Sequence, residues 1–180
     1  MLKLRKNFKL KNSIILKNFI NLTSREIEMV RVWRNNSNIR KWMYKSHVIF
    51  IGEHAEFVNK LGKRNDKFCW LIKHKNEEYI GVIILDRVDF CNKTAYLGIY
   101  RNPCSNVSFS VLSLSRIMLE LAFDIAGLHT LKLEVIEGNK KALNFYKKSG
   151  FRIEGKLREF VYKDKKWKDA IIMGILNKRA

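Results

Sequence analysis

The chain reads as a mixed α/β domain built on a central, largely antiparallel sheet. Three observations predict this class. Residues 68–73, 79–88 and 94–100 are strand-like apolar runs joined by the short polar stretches Lys75-Asn76-Glu77-Glu78 and Cys91-Asn92-Lys93, as hairpins in a meander require. Between residues 107 and 126, Val111, Leu114, Ile117, Met118, Leu121 and Ile125 recur at three- and four-residue steps, the period of an amphipathic helix. The C-terminal third then reads as strand, short helix and two further strands.

Taken in order, residues 14–20 form a first strand. Thr23-Ser24-Arg25-Glu26 has the form of a capping box, in which the hydroxyl accepts from the helix N-terminus and the carboxylate reaches back. The helix it opens carries Ile27, Val30 and Trp33 on one stripe and ends near Asn35-Asn36. A polar break at Asn36-Ser37-Asn38 leads into Ile39–Tyr44. Residues 53–61 form a second short helix with Phe57, Val58 and Leu61 apolar. The three meander strands and the long helix follow, and Gly127 ends that helix. After the strand 131–135 comes a short helix closed by Gly150-Phe151, then strands at 152–163 and 166–176 joined near Asp164-Lys165.

At 180 residues, 47% of them hydrophobic, the chain is long enough to bury a core and is read as one domain over residues 1–180. One proline and nine glycines mark no linker. Three cysteines, Cys69, Cys91 and Cys104, share no metal-type spacing and fit a reducing compartment. Lys17 interrupts what would be the apolar core of a signal peptide and no small-residue cleavage site follows, so none is expected, and nothing has the length of a membrane span. The expectation is a cytoplasmic protein with no membrane insertion. The net charge of +19, from 36 Lys and Arg against 17 Asp and Glu, draws in polyanions. The excess is spread from Lys3 to Arg179, so charge alone selects no partner.

The most informative stretch is Asn139-Lys140-Lys141-Ala142-Leu143-Asn144-Phe145-Tyr146-Lys147-Lys148-Ser149-Gly150-Phe151. Preceded by Leu131-Lys132-Leu133-Glu134-Val135, it resembles the last conserved segment of the GCN5-related N-acetyltransferases, the GNAT family. The resemblance extends over most of the chain from about Thr23. It implies a GNAT fold, with about seven strands flanked by helices and splayed between the fourth and fifth, and acetyl-CoA as co-substrate without a metal. It also implies that Asn139 and Ala142 lie against the coenzyme and that the Tyr146 hydroxyl sits near the thioester sulfur as general acid. A phenol of pKa about 10 can protonate a thiolate of about 8.5 only when held in contact with it. Leu97, Gly98 and Ile99 fall on the strand along which the pantetheine arm adds like an extra strand. The family's glycine-rich pyrophosphate loop is here Arg101-Asn102-Pro103-Cys104-Ser105-Asn106-Val107-Ser108-Phe109-Ser110-Val111, without glycine. Ser108 and Ser110 stand in its place, and backbone N–H groups at a helix start still suit an anion.

Trp33-Arg34-Asn35-Asn36, Trp42-Met43-Tyr44, Ile80-Gly81-Val82, Tyr96–Pro103 and Glu154-Gly155-Lys156-Leu157 are similar to one branch of that family. The branch acetylates the 4-amino group of UDP-4-amino-4,6-dideoxy-N-acetyl-β-L-altrosamine in pseudaminic acid biosynthesis, for flagellin and surface glycans. The resemblance places nucleotide-sugar contacts on Arg34, His54, Asp86, Arg87 and Tyr96, with Arg34 and Arg87 suited to a diphosphate. Glu134 could act as a base through a water or be structural; Arg34 could be a helix-end cation, His54 a surface residue and Asp86-Arg87 a turn. A homodimer is compatible with this reading, and a nucleic-acid partner is not expected.

Two alternatives stay open. The ending Lys148-Ser149-Gly150-Phe151-Arg152-Ile153-Glu154-Gly155 is shared with ribosomal-protein N-terminal acetyltransferases, although their basic acceptors suit a basic chain less well. A basic nucleic-acid-binding module is the other, but no motif of a known recognition class is present.

Overall fold

The computed structural model describes residues 2–74, 78–105 and 111–178. Among these, eight strands form one sheet in the order β1-β2-β3-β4-β5-β6-β8-β7. The strands are β1 (Phe8–Lys9), β2 (Ile14–Asn18), β3 (Phe68–His74), β4 (Tyr79–Asp89), β5 (Thr94–Arg101), β6 (Thr130–Ile136), β7 (Arg152–Lys163) and β8 (Lys166–Leu176). Every pairing is antiparallel except β5 with β6. The meander is therefore as the short polar connections predict, although part of the first connection lies outside the described residues.

Helix α1 (Ser24–Asn35) begins with the expected capping box: Thr23 accepts from the Glu26 N–H at 3.3 Å, and Glu26 accepts from the Thr23 N–H at 2.8 Å. Glu26 is buried and also holds Lys17 Nζ at 2.6 Å, tying α1 to β2. Thr23→Ala should lower stability by about 1 kcal/mol, a fall in Tm of roughly 2–4 °C for a chain of this size. Thermal unfolding followed by circular dichroism tests this, and an unchanged Tm would remove the cap from the account. Where a polar break is expected, the Asn36 side chain accepts from the Asn38 N–H and starts a further short helix, α2 (Ser37–Arg40).

Helix α3 (Ile51–Leu61) starts two residues earlier than expected. Helix α4 (Val111–Leu119) runs on as a π-helical turn over Glu120–Ile125, and Gly127 follows with φ +70°. Helix α5 (Lys140–Lys148) is closed by Gly150, whose φ of +95° is strained for any residue with a Cβ. The first strand ends at Asn18, where the chain tightens into a 3₁₀ turn over Phe19–Asn21.

The eighth strand, against about seven expected, is β1. It comes from the N-terminal segment, whose apolar pattern is too short to register as a strand. Asn18 holds that segment in place by donating twice, from its side-chain Nδ2 to Leu4 O at 2.9 Å and from its backbone N–H to Asn7 Oδ1 at 2.8 Å.

Alternation along the strands sorts the core into two faces. Phe68, Trp70 and Ile72 of β3 and Ala95 and Leu97 of β5 lie in one cluster with Ile117, Met118, Leu121 and Tyr146, on the side of α4 and α5. Cys69 and Leu71 of β3 and Val82 of β4 lie in the other, with Val30, Trp33, Val58 and Leu61 of α1 and α3, and Ile84 and Tyr100 pack against it. Burial pushes the Cys69 thiol up to about 12, which makes it inert.

Candidate active site

The sheet forks between β5 and β6, the fourth and fifth of the expected strands. The two strands pair only over Thr94↔Thr130, Ala95↔Leu131 and Tyr96↔Lys132. Beyond Tyr96, β5 continues with β4 as far as Arg101↔Gly81, while β6 continues with β8 as far as Ile136↔Ala170. Each limb is held by a partner on its outer side, which keeps the gap open. Gly81 fixes one limb: a Cβ there would lie 2.4 Å from the Tyr100 carbonyl oxygen, so β4 and β5 approach this closely only over a glycine. At Gly98, by contrast, a Cβ would meet only Ile84, at 3.4 Å.

Leu97, Gly98 and Ile99 lie on the β5 limb just past the fork. Asn139 caps α5, its Oδ1 accepting from the Ala142 N–H at 3.2 Å. Ala142 packs against the core and Tyr146 is buried at 8% exposure, its ring edge-on to Phe145 and Phe151 at 5.2 and 5.6 Å. Burial raises the Tyr146 phenol well above its ordinary value, so it stays protonated at neutral pH and is suited to donate. An open gap between two strands, a glycine on one limb and α5 beside the other match the extended thioester arm of a coenzyme. Ser108 and Ser110 lie outside the described residues.

On the opposite face, β5 presents Tyr96 and β6 presents Glu134, each out of phase with its neighbours in the α4–α5 core. A bulge in β4 brings a third group there. The register shifts between Asp86 and Asp89, with Arg87 at φ +51°, and such a bulge re-aims a side chain. Arg87 stacks its guanidinium 3.4 Å above the Tyr96 ring and donates to Glu134 Oε1 at 2.9 Å. Asp86 points elsewhere, accepting from Lys67 Nζ at 2.7 Å and from the Arg87 N–H at 3.0 Å. The turn reading of Asp86-Arg87 is thus corrected: both lie within β4.

Arg34 and His54 lie on α1 and α3, which cover this same face. Arg34 Nη2 donates to Lys45 O at 2.9 Å, while its Nη1 is buried without a hydrogen-bond partner among the described residues. Desolvation lowers the pKa of its guanidinium, a sign that its charge is undercompensated. His54 is 5% exposed, stacked on Phe57, with Nδ1 also buried and without a partner among the described residues. Burial, then the charge of Arg31, depresses its pKa. The surface reading of His54 is overturned, because the helix begins at Ile51 and turns it inward.

Residue spacing gives no warning of two further groups. Tyr44 donates its hydroxyl to Glu134 Oε2. Lys163, from β7, is buried and donates to the carbonyls of Arg40 at 3.2 Å and Met43 at 2.8 Å. Only the tripeptide Trp42-Met43-Tyr44 hinted at the first. Among the described residues no group of three His, Cys, Asp or Glu could hold a metal ion, and no helix is long and apolar enough to cross a membrane.

A forked sheet with a buried, protonated tyrosine on one side and a carboxylate on the other is a scaffold for acyl transfer. The chain matches the Acetyltransferase (GNAT) domain family over residues 15–172 and belongs to it. It is an N-acetyltransferase, with acetyl-CoA as the acetyl donor. Among curated proteins it is 34% identical to the acetyltransferase PseH of Campylobacter jejuni subsp. jejuni serotype O:23/36 over 149 residues, 83% of this chain and 91% of that one. The PseH of serotype O:2 is 35% identical over the same shares. The crystal structure of Campylobacter jejuni PseH superposes with a TM-score of 0.69 at 26% identity, covering 92% of this chain and 99% of that chain. In fold, the spermidine N-acetyltransferase of Vibrio cholerae in complex with CoA and spermine superposes at 0.81, with 24% identity over 92% of this chain and 96% of that one.

Proposed function

We propose that this enzyme transfers acetyl from acetyl-CoA to the 4-amino group of UDP-4-amino-4,6-dideoxy-N-acetyl-β-L-altrosamine, a step of pseudaminic acid biosynthesis for flagellin and surface glycans. The observation that carries the acceptor class is the pair of unsatisfied nitrogens on the Glu134 face, Arg34 Nη1 and His54 Nδ1. A buried guanidinium edge without a partner costs stability, and an anionic ligand with phosphate oxygens would repay it. The likeness to PseH at 34–35% identity supports the same reading. A polyamine, the acceptor of the spermidine acetyltransferases, has the wrong charge for a face lined by Arg34 and Arg87 in a chain of net charge +19.

In this reading the pantetheine arm lies in the fork along Leu97, Gly98 and Ile99, against Asn139 and Ala142. Ser108 and Ser110 belong to the loop that would receive the pyrophosphate. Backbone N–H groups of β5 stabilise the carbonyl oxygen as charge develops on it. The neutral amine attacks the carbonyl carbon, the new C–N bond forms and the C–S bond breaks. One amine proton leaves through Glu134, directly or by way of a water. The thiolate takes a proton from the Tyr146 hydroxyl, which is replenished from solvent. Tyr96 and Arg87 line the sugar end, with Asp86 and Lys67 beside them. Arg34 and His54 hold the nucleotide, and Arg87 keeps its bond to Glu134 while the remaining N–H groups of its guanidinium face the sugar diphosphate. Both substrates are cytoplasmic metabolites, which makes the cytoplasm the proposed compartment.

A mass-shift assay with acetyl-CoA tests the proposal on a panel of UDP-4-amino sugars, spermidine and ribosomal N-terminal peptides. The sugar should gain one acetyl group, about 42 Da. Acetylation of a peptide or polyamine with the sugars untouched would overturn the acceptor.

A further inference from the structure

Glu134 is held from both sides by residues far from it in the chain. Its side chain is 8% exposed, with Oε1 accepting from Arg87 and Oε2 from the Tyr44 hydroxyl. Tyr44 stands on the α2–α3 connection, a stretch that has no strand or long helix to order it. Two groups of β7 do so instead. The Phe160 ring meets the Tyr44 ring edge-on at 6.0 Å and 74°. Lys163 Nζ gathers the Arg40 and Met43 carbonyls immediately before Tyr44. On the other side, the side chain of Asn35 clamps Ile49, accepting from its N–H at 2.8 Å and donating to its carbonyl at 2.9 Å. The connection is therefore fastened at both ends, with the tyrosine hydroxyl between them aimed at the carboxylate. Desolvation, then the bond to Glu134, raises the Tyr44 phenol above its ordinary value, which keeps it a donor.

An ionised carboxylate offers about four lone-pair directions. Two are taken by Tyr44 and Arg87, which fixes the plane of the group and leaves the others for an amine or its bridging water. We propose that Tyr44 is a positioning residue of acetyl transfer, orienting Glu134 toward the attacking amine, with Phe160 and Lys163 of β7 as its brace. The inference rests on the role of Glu134 proposed above but not on the identity of the acceptor.

The test uses whichever amine the wild-type enzyme acetylates. Tyr44→Phe keeps the ring against Phe160 and removes only the hydroxyl. A lost charge-assisted hydrogen bond should lower kcat by roughly ten- to a hundred-fold, with KM for acetyl-CoA unchanged. Because the hydroxyl acts through the carboxylate, Tyr44→Phe should add almost nothing in a Glu134→Gln background, the non-additivity of coupled residues. Full kcat in Tyr44→Phe would overturn the proposal. So would a loss that multiplies undiminished with that of Glu134→Gln, or a wild-type rate in Glu134→Gln alone. If the wild type acetylates a peptide and no UDP-sugar, the acceptor reading fails while this comparison, made on the peptide, still decides the role of Tyr44.

Discussion

Replacing Tyr146 with phenylalanine should lower kcat by roughly ten- to a thousand-fold, the range of a general acid, while leaving affinity for acetyl-CoA nearly unchanged. The substitution is clean in this fold. The ring is fixed by edge contacts with Phe145 and Phe151, which phenylalanine keeps. The hydroxyl makes no hydrogen bond to another described residue, so its removal breaks no bond among them. Burial holds its proton until far above neutral pH, and that proton is what a departing thiolate needs. A group used only in the transition state lowers kcat and kcat/KM together. Steady-state rates with saturating acceptor measure this, and isothermal titration with CoA measures affinity. Wild-type kcat in Tyr146→Phe would reassign the residue to packing α5 on the sheet.

The second large effect concerns Arg34. Arg34→Ala should raise KM for the UDP-sugar by roughly ten- to a hundred-fold, the equivalent of about 1.5–3 kcal/mol for a charge-assisted phosphate contact. KM for acetyl-CoA should hardly change. The guanidinium already spends one nitrogen on the Lys45 carbonyl, and its free Nη1 is the edge a phosphate oxygen would fill. Arg87→Ala should behave differently. It should raise KM and also lower kcat, since Arg87 holds Glu134 as well as facing the sugar. Added salt should weaken nucleotide-sugar binding less than it would at an open surface patch. Normal KM for the sugar in both variants, with activity lost on a peptide, would favour the protein acceptor.

How much of this is legible in the sequence depends on the range of the interactions. The Thr23–Glu26 capping box, the meander strands and the closure of α5 by Gly150 are set within a few residues, and each is read from local pattern. The Asn139–Tyr146 segment likewise carries its family resemblance in one stretch. The β1 strand escaped because two residues carry no period, and its place is set by Asn18 and Asn7 reaching across the N-terminus. Asn36 reads as a breaker, yet its side chain caps α2. The N-terminus of α3 has no side-chain cap to mark it, so from the sequence His54 reads equally as a nucleotide contact and as a helix-start surface residue. The clamp on Glu134 was invisible for a different reason. Tyr44, Arg87 and Glu134 sit on three separate elements, and the brace for Tyr44 comes from Phe160 and Lys163, more than a hundred residues away. No periodicity encodes such a contact; only the forked sheet and the β4 bulge bring the groups together.

The central claim is that acetyl is delivered to a sugar amine. NMR of the purified product tests it most directly, after incubation of the enzyme with acetyl-CoA and UDP-4-amino-4,6-dideoxy-N-acetyl-β-L-altrosamine. The account predicts a second acetamido methyl resonance, with the new amide N–H coupled to the sugar proton on C-4 and the UDP group intact. A product with no new acetamide on the sugar, from enzyme that acetylates a peptide or a polyamine in the same buffer, would contradict it.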